Sequence, residues 1–449
     1  MLGACGRVGW VIRPGRNYGA AMTTADSGNE GGGRRLPAKA WLAPMVVIAL
    51  LMSLLATMYL AYVVDPAKHL HEFPIALVDQ DQGDVIGGKP TNLGEQIADG
   101  LTKQVPAEKV ALRPMGIGQA QRELGDGKLY GAIVIPADFT KRVGIFATAS
   151  VVPGDVQQPI ITVYTNPRAG SFAVSLVQTI TGQALSKVNQ TVGAQLTDQV
   201  KGQTQGQELV GLSRLLLAKP IDVVVTPYHP LPAGTGGGLV AFFYTVMVLL
   251  AGFTGAVVIT SMVDSSLGFA PTEFGPWYAH FPRAPISRLR TLLMKWAIMA
   301  VMAPVVSGIY MGVARWLGMP IDRPLALFLY STLAIVAVGV TALSIVAAFG
   351  TAGLLVNLVL FIVLGLPSSG GTIPVEAVPR GVAWLSGFEP MHQVFLGLRS
   401  ILFFDASGAA GLSRALWMTL LGLAIGLVLG AVVTKFYDYK GLHRKPVQV

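Results

Sequence analysis

Uncharged apolar stretches are spread very unevenly along this chain. One lies near the N-terminus, residues 65–233 are mostly polar, and the remaining stretches crowd into the C-terminal half. A helix needs about 20 apolar residues to cross the hydrocarbon core of a bilayer. The pattern therefore predicts six transmembrane helices, one before the polar block and five after it. They are expected at 40–64, 236–261, 294–316, 324–348, 350–367 and 413–435.

The fold class that follows is an α-helical polytopic membrane protein with a large domain inserted after its first helix. The composition agrees, because only 13% of the residues are charged and 52% are hydrophobic, whereas a soluble domain has about 25% charged residues. The net charge of +9 does not indicate nucleic acid binding, since the block 65–233 holds 14 Lys and Arg against 15 Asp and Glu. The excess lies in short segments beside the spans.

That excess predicts the orientation. With the N-terminus inside, the inner segments hold 14 Lys and Arg residues and the short outer loops hold five, as the positive-inside rule requires. We expect a multi-pass protein of the plasma membrane, in a bacterial envelope, with residues 65–233 outside. The segments 1–39 and 436–449 are predicted cytoplasmic tails, the first of them disordered.

Residues 65–233 alternate short β-branched runs with helical stretches, which predicts an α/β domain. Strands are expected at 74–78, 109–113, 130–135, 160–164 and 221–226, with helices at 92–104 and 117–124. Residues 169–217 read as one long helical segment. It either projects as an unbroken helix or bends and packs on the strands.

Nothing in the chain indicates an enzyme. Residues 83–90 resemble a phosphate-binding loop, but Pro90 stands where such a loop needs a hydroxyl for Mg²⁺, so we interpret them as a glycine-rich turn. The sequence predicts no catalytic group, no metal site and no cofactor.

Three segments resemble the YhgE/Pip (phage infection protein) family. Residues 73–83 (FPIALVDQDQG) match its opening strand and acidic turn, and 127–139 (GKLYGAIVIPADF) match a later strand closed by Pro-x-Asp-Phe. Residues 388–399 (FEPMHQVFLGLR) resemble the segment before its last span. Asn92-Leu-Gly94 matches a landmark between the first two.

This resemblance implies an ABC-2-type permease-like protein that exports amphipathic compounds, confers resistance to them, or moves envelope lipids. The nitrosoguanidine-resistance proteins of fungi look alike. A separate ATPase or larger exporter, a homodimer and the lipid bilayer are the implied partners. Two rival hypotheses stay open, an accessory or scaffold subunit and a surface receptor or sensor.

Candidate functional residues lie in the C-terminal half. No predicted span carries Asp or Glu near its middle, so the spans offer no proton relay, and Asn357 is the strongest polar candidate inside one. The apolar outer segment 368–411 is expected to be re-entrant or to lie on the membrane surface, beside the first and second spans. Within it Glu389, Pro390 and Arg399 are candidates for transport or gating.

The inner loop 262–293 is the segment where an ABC-2-like subunit would meet an ATPase. Its prolines separate short aromatic stretches, predicted as helices that dock on a partner or lie among lipid headgroups. The candidate docking residues are Trp277, Tyr278, Phe281 and Arg288.

Overall fold

The structure is a computed structural model that describes residues 38–86, 89–150, 157–203, 216–279 and 281–442. The predicted disordered tail falls outside these residues up to position 37, as does the end of the C-terminal tail from 443. The chain divides into two compact units, Met1–Met52 and Ser53–Val449. The first helix, α1 (Ala38–Val63), crosses that division.

The predicted α/β region is a five-stranded sheet with helices packed on it, here called the α/β module. The strands of this sheet are β1 (Phe73–Asp79), β4 (Val110–Pro114), β5 (Gly131–Ile135), β6 (Ile160–Thr165) and β7 (Asp222–Pro227). The strand order is β4-β1-β5-β6-β7; β1 pairs in parallel with β4 and β5, β5 is antiparallel to β6, and β6 is parallel to β7. Each lies within a residue or so of its predicted position.

The helices of the module bury their apolar faces against this sheet. They are α2 (Leu93–Gln104), α3 (Ile117–Gly125), α4 (Phe139–Ala149) and α5 (Ser171–Gln203). Within the described residues, α5 is the helix that packs on the strands rather than projecting, with Val177, Leu185 and Val192 in the core. Residues 204–215 of the predicted long helix lie outside the described part. Strands β2 (Asp84–Ile86) and β3 (Lys89–Thr91) pair antiparallel within the predicted glycine-rich turn, whose residues 87 and 88 lie outside the described part.

The carboxylate of Asp81 joins the landmarks on which the first resemblance rests. Its two oxygens accept hydrogen bonds from the backbone N–H groups of Gly83 (3.3 Å), Gly94 (2.9 Å) and Thr140 (3.1 Å), and from the Thr140 hydroxyl. The Asn92 side chain donates to the Asp81 carbonyl (3.3 Å). A side chain at Gly94 would collide with Asp81. These positions therefore form a structural tie between two turns and α4.

The C-terminal half is a helical bundle. Its long helices are α6 (Leu239–Ser266), α7 (Arg288–Trp316), α8 (Pro324–Phe349) and α13 (Ser413–Tyr439). Of the described residues, five helices are long and apolar enough to cross a membrane, these four and α1. The chain is thus shown as a membrane protein by its helices, and a sixth span stays a prediction.

The predicted span 350–367 is shorter and irregular. It consists of α9 (Ala352–Leu358), a π-helical turn (Val359–Val363) and α10 (Gly365–Ser368). Gly353 lies so close to the backbone of Ile345 that a Cβ there would be 2.7 Å from its carbonyl oxygen. This close approach folds α9 back against α8.

The loop 262–293 corrects one expectation. Instead of short aromatic helices, Thr272–Phe274 and Trp277–Ala279 pair as an antiparallel hairpin. Helix α7 begins at Arg288, earlier than predicted, because the Ser287 hydroxyl accepts a hydrogen bond from the N–H of Arg290 (3.2 Å) and caps the helix.

Candidate functional site

Between α10 and α13 the chain forms a pair of helices, α11 (Arg380–Ser386) and α12 (Pro390–Phe403). Both ends of this helix pair touch the α/β module. Before it, the Tyr130 hydroxyl donates to Glu376 (2.7 Å), and after it the Phe404 ring lies against Gly127. The segment therefore leaves the module side of the bundle and returns to the same side.

The depth of the turn between the two helices follows from their neighbours on α8. Asp405, just after α12, pairs with Arg323, just before α8 begins. Pro390, at the start of α12, lines a cavity together with Ala337 and Val338. With 1.5 Å per helical residue, the start of α12 lies about 20 Å along α8, near its middle.

Helix α12 begins with a capping arrangement that the sequence contains. Glu389 is the N-cap, and its Oε2 accepts a hydrogen bond from the backbone N–H of His392 (3.0 Å). Pro390 follows at the first helical position, where a missing N–H costs nothing. Two of the predicted candidates thus position the first turn of α12.

Glu389 is deeply buried and only half satisfied. The residue is 2% exposed, and its Oε1 has no hydrogen-bond partner among the described residues. That oxygen faces Gly365 of α10, where a Cβ would be 3.0 Å from it, and Ser368 of α10 lies beside the carboxyl group. The Ser368 hydroxyl lies nearby, but it donates its hydrogen to the Leu364 carbonyl (2.7 Å).

Burial shifts the pKa values of Glu389 and its neighbour His392 in opposite directions. Desolvation raises the pKa of Glu389 to about 7, and the nearby backbone N–H groups of Met391 and His392 and the Ser368 side chain, which favour the charged form, offset this rise only in part. Desolvation also lowers the pKa of His392 to about 4, although its Nδ1 lies 2.8 Å from the Ser369 carbonyl. Glu389 therefore titrates near neutrality and His392 stays neutral there.

The side-chain amide of Gln393 stabilises the turn between α11 and α12. The Gln393 Nε2 donates to the Ser386 carbonyl (2.8 Å), closing the turn from inside. From α13, Arg414 donates to Gln393 Oε1 (3.2 Å) and to the Gly387 carbonyl (3.0 Å). The turn is therefore held to the last long helix by one guanidinium.

Beside the turn lies an apolar cavity of about 270 Å³. Helices α8, α12 and α13 and the π-helical turn form its walls, and Gln393, Thr341 and Thr419 supply the polar groups. The lining residues are Ala337, Val338, Thr341, Leu360, Phe361, Phe388, Pro390, Gln393, Val394, Met418, Thr419, Leu421, Gly422 and Ile425. Phe388 is half exposed and packs edge to face against the exposed Trp384.

The third candidate of this segment, Arg399, lies away from the cavity, near the α/β module. Its guanidinium lies over the rings of Phe395 and Phe404, 5.5 and 5.6 Å from their centroids, and its Nε has no hydrogen-bond partner within the described residues. Desolvation lowers the pKa of Arg399, and the nearby negative charge of Glu376 opposes that shift. Arg399 thus belongs to the contact between the module and the bundle.

Asn357 lies at the packing surface of α9 and α8. It is buried, and its Nδ2 donates to the Ala342 carbonyl (3.0 Å), while Oδ1 has no partner among the described residues. The structure does not bring it together with Glu389.

The candidate docking residues lie at the other end of the bundle. Trp277 and Phe281 are exposed, and the side chain of Tyr278 lies outside the described part. Arg288 is engaged within the chain, since its Nε donates to the Leu442 carbonyl (2.8 Å) and its guanidinium lies 5.1 Å from the centroid of the Tyr437 ring.

A second, larger cavity of about 950 Å³ opens at this end, with Arg288 in its wall. Sequence reasoning missed the buried ion pair that also lines it, Lys295 to Asp264 at 2.8 Å. It also missed His392, Gln393 and Ser368 as neighbours of Glu389. The one available signal was the acidic residue directly before Pro390, which is typical of a helix start.

The comparisons with known proteins place the whole arrangement in one family. A family model described as a protein of unknown function, DUF3533, matches residues 44–422. The chain belongs to this family, and the match includes the α/β module, the helix pair and most of the cavity lining. No curated protein and no solved structure matches the chain. The YhgE/Pip and ABC-2 relationship thus rests on the resemblance of the segments quoted above.

Proposed function

We propose that this chain is a permease-like membrane protein of the ABC-2/Pip type, which moves amphipathic compounds or envelope lipids, or confers resistance to such compounds. The observation that carries the proposal is the apolar cavity at the turn between α11 and α12. Ligand sites are mostly apolar, with a few polar groups that orient the ligand. An amphipathic cargo would place its apolar part against Val338 and Phe361 and its polar part toward Gln393.

The position of the cavity supports movement rather than simple anchoring. It lies near the middle of α8, and its wall includes the helix pair that also touches the α/β module through Glu376 and Phe404. A change in the module is thereby mechanically connected to the cavity. In this proposal a separate ATPase or larger exporter docks at the end of the bundle that carries the exposed Trp277 and Phe281, and the working unit is a homodimer.

The experiment fills the cavity and measures lipid movement. Gly422 lines the cavity, and a Cβ at this position would meet nothing within 4 Å, so Gly422→Leu occupies the space without a clash at its first carbon. Native membrane vesicles from cells that make the full chain keep any partner present. The probe is a fluorescent short-chain phosphatidylethanolamine, and the readout is the rate at which it becomes accessible to an aqueous quencher.

The matched control is Gly312→Leu on α7, where a Cβ also meets nothing within 4 Å. We expect wild type and Gly312→Leu to move the probe alike, and Gly422→Leu to be slower by about tenfold, the equivalent of 1.4 kcal/mol of lost interaction. Equal rates in vesicles with and without the chain would refute the permease function. Equal rates for the two leucine variants would refute the cavity as its site.

A second candidate, a receptor or sensor, is favoured by one observation. A cleft of about 930 Å³ lies in the α/β module between α5 and β4, and Lys109 and Lys187 are in its wall. An anionic ligand fits these charges. In this case the double variant Lys109→Gln and Lys187→Gln abolishes the response of cells to the ligand, while Gly422→Leu leaves that response intact.

A further inference from the structure

We propose that Glu389 is a proton-binding site inside the bundle, and that loss of its proton loosens the turn between α11 and α12. The site itself stands without the proposed function. Only its coupling to cargo rests on that function, because Phe388 and Pro390 on either side of Glu389 both line the apolar cavity.

The carboxyl group of Glu389 has one oxygen with a hydrogen-bond donor and one without. An ionised carboxylate only accepts hydrogen bonds, while the neutral acid also donates one. Oε2 receives the N–H of His392, and Oε1 receives nothing from the described residues. The Ser368 hydroxyl donates its hydrogen bond to the Leu364 carbonyl, so the lone pairs of its oxygen are free to accept one. A proton on Oε1 supplies the donor that this pair of oxygens lacks.

The nearby cations are engaged with other groups and do not balance a charge on Glu389. No ion pair is formed by Glu389 within the described part of the chain. Arg414, from α13, is directed to Gln393 and Gly387, and Arg399 lies between two phenylalanine rings further along α12. His392 Nδ1 is bonded to Ser369. A buried charge without a partner is costly, so the neutral acid is favoured.

The remaining helices packed on α12 do not change this balance. Helix α8 presents Tyr330, whose hydroxyl contacts the Gln393 carbonyl (3.4 Å) and Thr419 (3.3 Å). The titratable side chains of α6 are Tyr244 and Asp264, of which Asp264 is paired with Lys295 (2.8 Å), and α10 and the turn at Gly408–Leu412 carry none. The groups that face Glu389 are therefore hydroxyls and backbone, and no cation among them replaces the proton.

The surroundings of Glu389 fit a proton better than a metal cation. Metal cations such as Ca²⁺ and Mg²⁺ need six or more oxygen ligands, usually with several carboxylates or waters. Within the described residues, no group of three or more His, Cys, Asp or Glu side chains could hold a metal. One carboxyl group facing one hydroxyl fits a proton.

The consequence of deprotonation follows from the burial. In the closed arrangement the charged carboxylate gains a donor at Oε1 only if the Ser368 hydroxyl leaves the Leu364 carbonyl, so deprotonation favours drawing in water or moving toward it. Phe388 and Pro390, on either side of Glu389 in the chain, line the cavity. Arg414 donates a hydrogen bond to the carbonyl of Gly387, two residues before Glu389. If the Glu389 side chain moves, its neighbours Phe388 and Pro390 move with it, and the shape of the cavity wall changes.

The test measures the pH dependence of the melting temperature of the full-length protein in nanodiscs. For Glu389 the pKa is about 7 when folded and 4.5 in the reference state, so the folded state binds the extra proton and its stability falls as the pH rises from about 4.5 to 7. For His392 the pKa is about 4 when folded and 6.5 in the reference state, so stability rises with pH from about 4 to 6.5. The two effects oppose each other in the wild type.

Substitutions at His392 and Glu389 separate these two pH effects. In a His392→Gln background we expect the melting temperature to fall by several degrees between pH 5 and pH 8, and the added substitution Glu389→Gln to remove this fall. Asp405→Asn in the same background is the matched control; its exposed carboxyl pairs with Arg323, which lowers the pKa of Asp405, so the fall should persist. An unchanged fall in the Glu389→Gln variant would overturn the proton site.

A second readout reports the loosening. In a Cys5→Ser background, Ser386→Cys places a single thiol at the buried end of α11. Thiol labelling accelerates with pH in any protein, so the quantity of interest is the labelling rate relative to the same protein with Glu389→Gln. This ratio should rise severalfold from pH 6 to pH 8, and a ratio that stays at one would overturn the loosening. Neither readout depends on transport, so a failed vesicle experiment leaves both interpretable.

Discussion

The α/β module and the helical bundle each contain a carboxyl group away from solvent, but they surround it with different numbers of hydrogen-bond donors. In the α/β module, Asp81 receives hydrogen bonds from three backbone N–H groups and one hydroxyl. In the bundle, Glu389 is more deeply buried, receives the N–H of His392, and leaves its second oxygen without a partner among the described residues. The four donors around Asp81 stabilise its charged form only. The surroundings of Glu389 can accommodate both the charged and the protonated form.

Other buried polar groups follow the same division. Most of the buried side-chain atoms without a partner in the described chain belong to the bundle, including Tyr244 Oη, Trp296 Nε1 and Thr332 Oγ1. In the module, Asn166 donates to the carbonyls of Leu124 and Leu129. Since buried polar groups are nearly always paired, the bundle is where alternative arrangements are to be expected.

The largest effect is predicted for Asp81→Ala. Four donors lose their acceptor at once, and several of them are buried, so we expect a loss of about 3 to 5 kcal/mol. The melting temperature of the full-length protein should fall by roughly 10 °C. The control is Asp138→Ala in the same module, an exposed carboxylate paired with Arg142 (2.7 Å), where the loss should stay below about 1 kcal/mol. Similar losses in the two variants would contradict the role of Asp81 as a tie.

Asn189→Leu should have the next largest effect. Asn189 on α5 exchanges two hydrogen bonds with the backbone of Ile221, at 2.9 and 2.8 Å, directly before β7. Leucine leaves both backbone groups unpaired in the core, which costs about 2 to 4 kcal/mol. Thermal unfolding checks this, and an unchanged melting temperature would show that water replaces the amide.

The same contrast explains what the sequence could and could not predict. The strands and helices of the module were predictable because short apolar runs end at turn residues, as at Asp79–Gly83 and Gly125–Gly127. The five long helices were predictable from hydropathy alone. The pairing of Asp81 with Thr140 was not, since nothing local connects positions so far apart in the chain.

The candidate site was only partly predictable. Glu389 was identified from a resemblance and from its place in an apolar segment, but the absence of a carboxylate from the predicted spans pointed away from any proton site. The helix pair carries Glu389 to the level of the middle of α8 without being a span itself. Hydropathy windows do not detect such a segment, because α11 and α12 are each too short to cross a bilayer.

Asn357→Leu is predicted to cost less than Asn189→Leu, although both asparagines are buried. The Ala342 carbonyl that accepts from Asn357 also lies within α8, where a backbone N–H one turn later can satisfy it. We expect a loss of about 1 kcal/mol or less, measured as a shift in melting temperature. Lost lipid movement at an unchanged melting temperature would instead support the sequence-based prediction that Asn357 is a functional polar group.

The smallest effect is predicted for Thr332→Val on α8. The Oγ1 of Thr332 is buried without a partner among the described residues, so the valine removes an unsatisfied hydroxyl while keeping the shape. Replacing a buried polar group by an apolar one of the same shape is nearly neutral, so the free energy of unfolding should change by no more than about 0.5 kcal/mol. The matched variant in the module is Thr140→Val, which leaves the N–H of Leu93 without its acceptor (2.8 Å) and takes a donor from Asp81; it should cost about 2 to 3 kcal/mol. If the two valine variants melted alike, the unpaired groups of the bundle would have partners such as ordered water, and the division between the two regions would disappear.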